Sequence, residues 1–600
     1  MSDNTNRKVL LSLNNVDVKF NVRGRTLQAI RNVSLDIYEN ESLAIVGESG
    51  SGKSVLTKTF AGMLDSNGYV SNGSIILADD EISKTDVELT KRNRRTFEDF
   101  YEFLNKNSVL ERGAEEFRQI NDKKRELDSL DKFSPDEEAD FAARIKKAKD
   151  DVVDTTNYLW SLDKKLKSDR PEIEKTEARI KELEAVVDSI VKEKEDLLQK
   201  RKSALKSETS KADKLKADIE ALKAARQAKI AKADSDSNPY GLKNEVLERN
   251  KKIAYELLLS IGRYPFKDQI VFRYKLKKAF KLAMSLGEDL NDAATLNKVF
   301  ETVAFRVEFR SFDEATQTVH GYAIIDCAKI KYTNDWQQIR GCRIATVFQD
   351  PMTSLNPVIT IGKQIMTVIL KHQKCSQEEA RKRTIDIMDK VGIPDPEKRF
   401  NDYPFEYSGG MRQRIVIAIA LSCQPKILIC DEPTTALDVT IQAQILQLIK
   451  DLQKDLGFTT VYITHDLGVV ANVAERVAVL YGGQIVEVGS VEEIFYDPRH
   501  PYTWALLSSL PQLAERGKEL FSITGTPPSL YNKIVGDAFA PRNQYALAID
   551  LVKEPPVFKI TDTHFAKTWL LDPRAPKVEM PENIRNLHEK MLKSYVNVTE

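Results

Sequence analysis

An eight-residue segment near the start of the chain has the residue types that bind the phosphates of a nucleotide. It fits the pattern G-x-x-x-x-G-K-[ST] with Gly47, Glu48, Ser49, Gly50, Ser51, Gly52, Lys53 and Ser54. In such a loop, glycines let backbone N–H groups wrap the phosphates at a helix N-terminus, the lysine neutralises the β and γ oxygens, and the last hydroxyl ligates Mg²⁺. Because the apolar strand Leu43 to Val46 precedes the loop, a fortuitous glycine turn is a poor alternative.

Two adjacent carboxylates end a second short apolar strand. Ile427 to Cys430 is unbroken in its apolar character, and it delivers Asp431 and Glu432 to its carboxyl end, where open α/β sheets bind ligands. Asp431 would hold Mg²⁺ through water, and Glu432 would orient or deprotonate the attacking water. Pro433 and the strand argue against the alternative, a solvated acidic turn.

Three further residues are weaker candidates when taken singly. His465 ends the β-branched strand Thr459 to Thr464 and could bond a γ-phosphate, although a lone histidine is more often structural. Gln349 follows another apolar stretch and could reach the metal and the attacking water. Phe20 precedes a loop, where it could stack on adenine or could simply be a core residue.

A second surface that could bind phosphate lies shortly before the acidic strand. Ser408, Gly409 and Gly410 open a predicted helix, so their backbone N–H groups would favour an anion. One chain cannot easily apply both surfaces to one nucleotide. We therefore predict that two chains share each nucleotide.

Length and composition set the limits for the elements that position these residues. The 600 residues have room for two or more domains, and 90 basic residues balance 90 acidic ones, so any charged partner surface must be local. The five cysteines lack metal-ligand spacing, the N-terminus is polar, and no stretch approaches the roughly 20 apolar residues that span a bilayer. We expect a reduced, cytosolic protein. If it acts at a membrane, another chain must hold it there.

The order of strand-like and helix-like segments along the chain predicts an α/β fold interrupted by an insertion. Short β segments and turns fill residues 1–90, long charged helical sequence begins near residue 91, and the α/β texture resumes over 331–495 before a Pro-rich tail at 496–600. The insertion, 91–330, is expected to contain a coiled-coil hairpin at about 136–232 and a small α+β segment at about 239–330.

The long helical part of the insertion has a heptad pattern. Neither proline nor glycine occurs between Glu172 and Asn238, which predicts one helix of about 90 Å for about 60 residues. Apolar or small residues form a seam with one shift of register: Ile173, Thr176, Ile180, Leu183, Val187, Ile190, Leu197, Ala204, Leu205, Ala212, Leu215, Ile219 and Leu222. Alternating Val303, Phe305, Val307 and Phe309 predict a strand in the α+β segment.

The order of these motifs resembles that of the ATP-binding-cassette ATPases: phosphate loop, glutamine, serine-glycine pair, two acids, histidine. Four segments narrow the resemblance to the D-type ATP-binding subunit of oligopeptide and dipeptide importers, namely Phe348 to Pro357, Ser408 to Arg414, Asp431 to Asp438 and His500 to Leu507. Met411 favours the D-type over its F-type sister. The family fold comprises a RecA-like core, an antiparallel β subdomain, a helical signature subdomain and a C-terminal extension.

The resemblance implies a head-to-tail heterodimer with an F-type sister subunit that hydrolyses ATP with Mg²⁺. Glu432, His465 and Gln349 would be catalytic, and Ser54, Gln349 and Asp431 would hold the metal. Ser408, Gly409 and Gly410 would act in trans on ATP bound to the partner, and Asp438 would communicate across the dimer.

The same resemblance implies further partners and a location. Two membrane permease subunits would hold the chain at the cytoplasmic face of the membrane, with a permease helix docked after Gln349. An extracytoplasmic peptide-binding protein would take part indirectly, and nucleic acid would not. Family members often carry cysteines around an A-F-A-P-R segment, whereas Ala538 to Arg542 is flanked by none here, so we expect no iron–sulfur cluster.

A soluble coiled-coil ATPase acting on nucleic acid or ribosomes is the alternative. In such proteins the coil is expected after the glutamine loop, whereas here it precedes Gln349. The insertion itself has two interpretations. It is either a solvated protrusion that tolerates deletion or a cytoplasmic docking arm, the latter suggested by the seam and by the basic aromatic run Arg273 to Lys281.

Overall fold

A computed structural model describes residues 7–131, 133, 135–161, 170–207, 209–234, 237–300, 306–330, 333–435, 437–509, 523–532, 534–582 and 584–585. The chain divides into two compact units. The first comprises Met1–Thr85, Ala304–Arg306 and Tyr322–Glu600, and the second comprises Asp86–Val303 and Val307–Gly321.

The first unit opens with a long β-hairpin that leads into the phosphate loop. Its two strands turn at Arg23 and Gly24, both of which have positive φ, and such turns match the twist of paired strands. The predicted short β segments are thus parts of longer strands. The elements of this part are β1 (Val9–Val22), β2 (Arg25–Tyr38), β3 (Ser42–Val46), α1 (Lys53–Phe60), β4 (Gly68–Leu77) and α2 (Asp80–Ser83).

The second unit is mainly helical, and its described strands form a three-stranded sheet. Its elements are β5 (Lys84–Glu88), α3 (Lys91–Ser108), α4 (Ala114–Asp131), α5 (Pro135–Ser161), α6 (Arg170–Ser207), α7 (Thr209–Ala231), α8 (Asn244–Gly262), α9 (Phe266–Leu286), α10 (Ala293–Phe300), β6 (Val307–Asp313) and β7 (Thr318–Ala323), with the sheet ordered β5-β7-β6. Val303 and Phe305 of the predicted strand lie outside the described residues.

An antiparallel helical hairpin dominates this unit, with α4 on α7 and α5 on α6. Lys123 is 2.7 Å from Asp218 and Arg144 is 2.6 Å from Glu193. Residue numbers therefore rise along one arm while those of their partners fall along the other, which shows that the arms are antiparallel. The first arm therefore begins at Ala114, and not near residue 136 as the sequence predicted, because α4 also takes part.

The second arm is helical on both sides of residue 208, as α6 and α7. Because residue 208 lies outside the described residues, the single continuous helix that the sequence predicted stays a prediction. Thr176 and Leu215 of the seam are buried, but Leu197 is exposed. Supercoiling of the hairpin as a coiled coil stays a prediction.

The chain returns to the first unit earlier than residue 330. Tyr322 to Ile330 belong to that unit, since Ile325 and Asp326 pair with β4 and Asp326 accepts the Ile75 N–H at 2.9 Å. The Tyr322 hydroxyl donates to Asp80 at 2.9 Å, so the chain re-enters the first unit beside the segment that leads out of it, residues 80–85.

The remaining elements complete the first unit, and they follow in chain order. They are β8 (Ile325–Asp326), α11 (Thr333–Ile339), β9 (Ile344–Val347), α12 (Pro351–Ser354), α13 (Ile361–His372), α14 (Gln377–Lys390), α15 (Pro396–Arg399), α16 (Gly409–Leu421), β10 (Ile427–Asp431), α17 (Val439–Leu456), β11 (Thr459–Thr464), α18 (Leu467–Val473), β12 (Arg476–Tyr481), β13 (Gln484–Ser490), α19 (Val491–Tyr496), α20 (Pro501–Ser508), β14 (Phe558–Lys559) and β15 (Phe565–Ala566).

Two sheets organise the described part of this unit. One is antiparallel, with the order β2-β1-β4-β8, and the other has the order β14-β15-β13-β12-β3-β11-β10-β9. In the second sheet β9, β10, β11, β3 and β12 are parallel and almost wholly buried, which explains their unbroken apolar sequences. Because parallel strands share one carboxyl edge, the segments after β3, β9, β10 and β11 leave the sheet together. None of the helices in the described ranges is long and apolar enough to cross a membrane.

Candidate active site

The phosphate loop joins β3 to α1 and is folded on its own lysine. The Lys53 ammonium group donates to the Gly47 carbonyl at 2.7 Å and to the Glu48 carbonyl at 3.0 Å. Its side chain is buried, and burial lowers its pKa despite the nearby carboxylates of Glu432 and Asp431. The loop thus holds a cation beneath its backbone, as phosphate binding requires.

Two glycines in the loop are required for different structural reasons, close backbone packing at Gly47 and a positive φ at Gly50. A Cβ on Gly47, whose φ is 153°, would lie 2.1 Å from the Leu480 carbonyl oxygen, so the backbone there lies too close to β12 for a side chain. Gly50 has a φ of 78° with open space around it. The buried Ser51 hydroxyl has no hydrogen-bond partner in the described part of the chain, which leaves a polar group unmatched in the loop.

Ser54 and Asp431 meet across the sheet edge. The Ser54 hydroxyl donates to Asp431 Oδ1 at 3.1 Å, so the first turn of α1 reaches the end of β10. Burial raises the pKa of Asp431, and the Ser54 hydrogen bond only partly opposes this. Hydroxyl and carboxylate oxygens are ligands that Mg²⁺ accepts, so the pair fits that ion.

Glu432 is the centre of a hydrogen-bonded group at the same edge. Its carboxylate accepts from Gln349 at 3.0 Å and from the Thr435 hydroxyl at 2.9 Å, and its other oxygen lies 3.1 Å from His465 Nδ1. Burial raises the pKa of Glu432, but the His465 and Thr435 hydrogen bonds outweigh it and leave that pKa below its usual value. The φ of Glu432 is 45°, a value that is uncommon for a residue other than glycine and that is often found at functional sites.

A cleft of about 650 Å³ connects these groups. Its lining includes Gly50, Gly52, Lys53, Ser54, Gln349, Glu432, His465, and also Leu27, Ala29 and Leu530. Phe20 is not part of this lining. It packs over Gly68, where an added Cβ would lie 2.5 Å from its ring, and its stacking on adenine stays a prediction.

The serine-glycine pair does not line this cleft. Ser408 caps α16 by accepting the Met411 N–H at 3.4 Å, and both Ser408 and Gly409 are exposed. Asp438 is likewise exposed and caps α17 through the Ile441 N–H at 3.1 Å. The two helix N-termini are close, since a Cβ on Gly410 would lie 2.7 Å from Ile441.

A contact that sequence reasoning missed ties the C-terminal region to the phosphate loop. Arg542 donates two hydrogen bonds to the Glu48 carboxylate, at 2.7 and 3.0 Å, and a third to the Tyr481 hydroxyl at 3.1 Å. The Tyr502 hydroxyl accepts the Glu48 N–H at 2.8 Å. The only sequence signal was the A-F-A-P-R segment itself, whose Phe539 packs on the rings of Tyr481 and Tyr502.

Comparisons with known proteins point to the same family as the order of the motifs does. A family model described as "ABC transporter" matches residues 30–242 and 309–435, and one described as "Oligopeptide/dipeptide transporter, C-terminal region" matches residues 486–549. Among solved structures, the chain is similar to the dimeric bacterial ABC transporter cassette MJ0796 at 15% identity and a TM-score of 0.35, over 80% of this chain and 99% of that one, a similarity too distant to support an inference.

Three named relatives are much closer in sequence. The oligopeptide transport ATP-binding protein AmiE of Streptococcus pneumoniae is 64% identical over 44% of this chain and 75% of its own length. The protein OppD of Bacillus subtilis is 60% identical over 44% of this chain and 73% of its own length. The OppD of Mycoplasma genitalium is 44% identical over 46% of this chain and 78% of its own length.

Proposed function

This chain belongs to the ABC transporter family of ATP-binding proteins for oligopeptide and dipeptide transport, and we propose from this that it hydrolyses ATP to power peptide import. The observation that carries the proposal is the convergence of Lys53, Ser54, Gln349, Glu432 and His465 on one cleft. Four separate sheet connections supply these residues. A structural role alone does not explain that convergence.

The roles of the residues follow from their contacts. Lys53 would transfer its hydrogen bonds from its own loop carbonyls to the β and γ oxygens of ATP. Glu432 would accept a proton from, or orient, the attacking water, and Gln349 and His465 hold its carboxylate in place for that role. Ser54 and Asp431 would hold Mg²⁺, which neutralises charge that develops on the phosphates.

A shared nucleotide site accounts for the exposed serine-glycine pair. Ser408, Gly409 and Gly410 lie outside the cleft of their own chain, and the exposed N-terminus of α16 favours an anion. We propose that this N-terminus closes on ATP held by a second cassette, of the F-type, and that Asp438 contacts the same partner. ATP would then favour the closed pair, and its hydrolysis would remove that preference.

An apolar surface near Gln349 is the proposed docking site for the membrane permease. Five large apolar side chains are exposed there, and the exposed fraction of Val358 is 77%. They are Phe348, Met352, Val358, Ile359 and Phe405. Exposed apolar clusters of this kind mark protein interfaces. Two permease subunits would thereby hold the chain at the cytoplasmic face, with the peptide specificity left to them and to an extracytoplasmic binding protein.

The test is purification of the tagged full-length chain from solubilised membranes, followed by identification of the proteins that accompany it. We expect a sister cassette and two permease subunits. Val358→Glu should abolish permease recovery, whereas the control Val552→Glu, at a side chain that is 70% exposed elsewhere in the same unit, should not. Recovery of ribosomes or nucleic acid in place of permease subunits would contradict the proposal.

A further inference from the structure

The outer surface of the second unit carries a basic and apolar face on α9. The inner side of this helix is buried through Phe272, Leu276, Phe280 and Met284. Its outer side exposes five large apolar side chains: Phe266, Ile270, Val271, Tyr274 and Leu282. A surface of this kind in water needs an explanation, because exposed apolar residues are usually scattered singly.

Lysines lie among the apolar side chains of this stripe. Lys267, Lys275, Lys278 and Lys281 are exposed on α9, while the one acidic residue of the helix, Asp268, is half-buried. Lysine stems can lie along apolar surface while their ammonium groups reach polar surroundings. The outer side of α9 therefore combines apolar and cationic character without acidic side chains among it.

A groove between α3 and α9 continues the positive charge. It has a volume of about 440 Å³ and is lined by Lys91, Arg92, Arg95, Thr96, Asp99, Phe266, Gln269, Ile270 and Arg273. The one carboxylate in its lining, Asp99, forms an ion pair with Lys277 at 2.8 Å. The Arg92 guanidinium lies 4.3 Å from the centre of the Phe266 ring, so cation and apolar lip are in contact.

The cations of this surface differ from those of the neighbouring hairpin. Lys123 and Arg144 of the hairpin each lie within 2.7 Å of a carboxylate on the opposite arm. In contrast, Lys91, Arg95 and Arg273 make no ion pair within the part of the chain that the structure describes. Since the whole chain has no net charge, this is a local concentration of available positive charge.

We propose that the α3–α9 surface binds an anionic phospholipid bilayer, with the apolar stripe of α9 in the interface and the basic groove on lipid phosphates. An amphipathic helix with lysines beside large apolar residues lies in the plane of such an interface. Guanidinium groups match phosphate oxygens through paired N–H donors. A nucleic acid would use the cations and aromatic rings but would leave Ile270, Val271 and Leu282 in water.

The experiment is sedimentation of the purified full-length protein with sucrose-loaded vesicles. One set is phosphatidylcholine alone and the other an equimolar mixture with phosphatidylglycerol. We expect the protein to pellet with the anionic set and to be released by high salt. Binding to both sets alike, or to neither, overturns the proposal.

Variants with matched controls locate the surface. Each basic side chain near an anionic surface contributes about fivefold to partitioning, so replacing Lys91, Arg95, Lys275 and Lys278 by glutamine should weaken binding by roughly several hundred-fold. The control replaces four exposed hairpin lysines, Lys181, Lys192, Lys200 and Lys214, with the same change in net charge. Equal loss in both variants would show attraction to charge alone and overturn the assignment.

The apolar contribution has its own pair of variants. Ile270 and Tyr274 are 61% and 72% exposed, so replacing both by serine should not disturb folding but should weaken vesicle binding, unlike replacing the exposed hairpin residues Val186 and Val191 by serine. If the protein instead binds polyuridylic acid, ignores vesicles, and loses the RNA in the basic variant, the surface is a nucleic-acid site and the proposal is wrong.

Discussion

The contact between Arg542 and Glu48 gives a quantitative prediction. Besides its two bonds to Glu48 and one to Tyr481, the Arg542 guanidinium donates to the backbone carbonyl oxygens of Thr524 and Ile523, at 3.0 and 3.3 Å. The Arg542 side chain is 5% exposed and that of Glu48 is 24% exposed. Arg542→Ala therefore removes five hydrogen bonds and leaves a largely desolvated carboxylate in the phosphate loop.

The size of the effect follows from that geometry. Hydrogen bonds to charged groups contribute about 1.5–3 kcal/mol each, but desolvation of both ions offsets part of this, and removal of one partner of a buried pair costs about 3–5 kcal/mol. Since Glu48 keeps some contact with water, we expect Arg542→Ala to lower the free energy of unfolding of the first unit by about 3 kcal/mol. The coupling between the two side chains should be about 2 kcal/mol.

The assay is a double-mutant cycle with Arg542→Ala, Glu48→Ala and the double variant. Trp336, Trp504 and Trp569 report unfolding of the first unit, and replacing Trp160 by phenylalanine removes the tryptophan that belongs to the second. Arg542→Lys should recover only part of the loss, because an ammonium group cannot make the paired bonds. Additive losses in the double variant, with coupling below about 0.5 kcal/mol, would refute the reasoning.

Three further outcomes are expected. Glu432→Gln keeps the shape of the side chain but removes the carboxylate, so ATP hydrolysis should fall by about 10²–10⁴-fold with ATP still bound, and normal turnover would exclude Glu432 from the chemistry. Excision of Asp86 to Gly321 with a short linker from Thr85 to Tyr322 should leave hydrolysis largely intact, and a loss of nucleotide binding would show that the second unit is integral to the first. Burial lowers the pKa of His500 from 6.5 to about 3. As the pH falls, the unfolded chain is therefore protonated at His500 before the folded chain is. The stability that depends on the neutral ring is complete above pH 6.5 and declines toward about pH 3. His500→Asn keeps an acceptor for the Tyr502 N–H but cannot titrate, so its melting temperature should fall less steeply across that window, and parallel curves would contradict the assignment.

The polar residues of the cleft could be found from sequence because each follows an apolar strand. Glu432 and His465 follow β10 and β11, which pair in parallel, so the alternation of strands and helices already predicts a common edge. Neither position depends on details of packing. The same holds for the phosphate loop, whose glycine spacing follows from its backbone conformation.

Other features could not be read from local pattern. Glu48 and Arg542 are 494 positions apart, and nothing in the spacing of charges links one arginine of the chain to one glutamate. Leu530 reaches the cleft from the Pro-rich tail, which carries no periodic signal. The hairpin boundary was misplaced because Pro135 marked the start of α5, whereas the packing of α4 on α7 depends on tertiary contacts.

The hydrogen bond between Tyr322 and Asp80 has a consequence for protein engineering. Because it holds two chain ends side by side on the surface of the first unit, a foreign domain with adjacent termini, such as a fluorescent protein, could be spliced there at little entropic penalty. A reporter grafted at this point would leave both long strands of the neighbouring hairpin uncut.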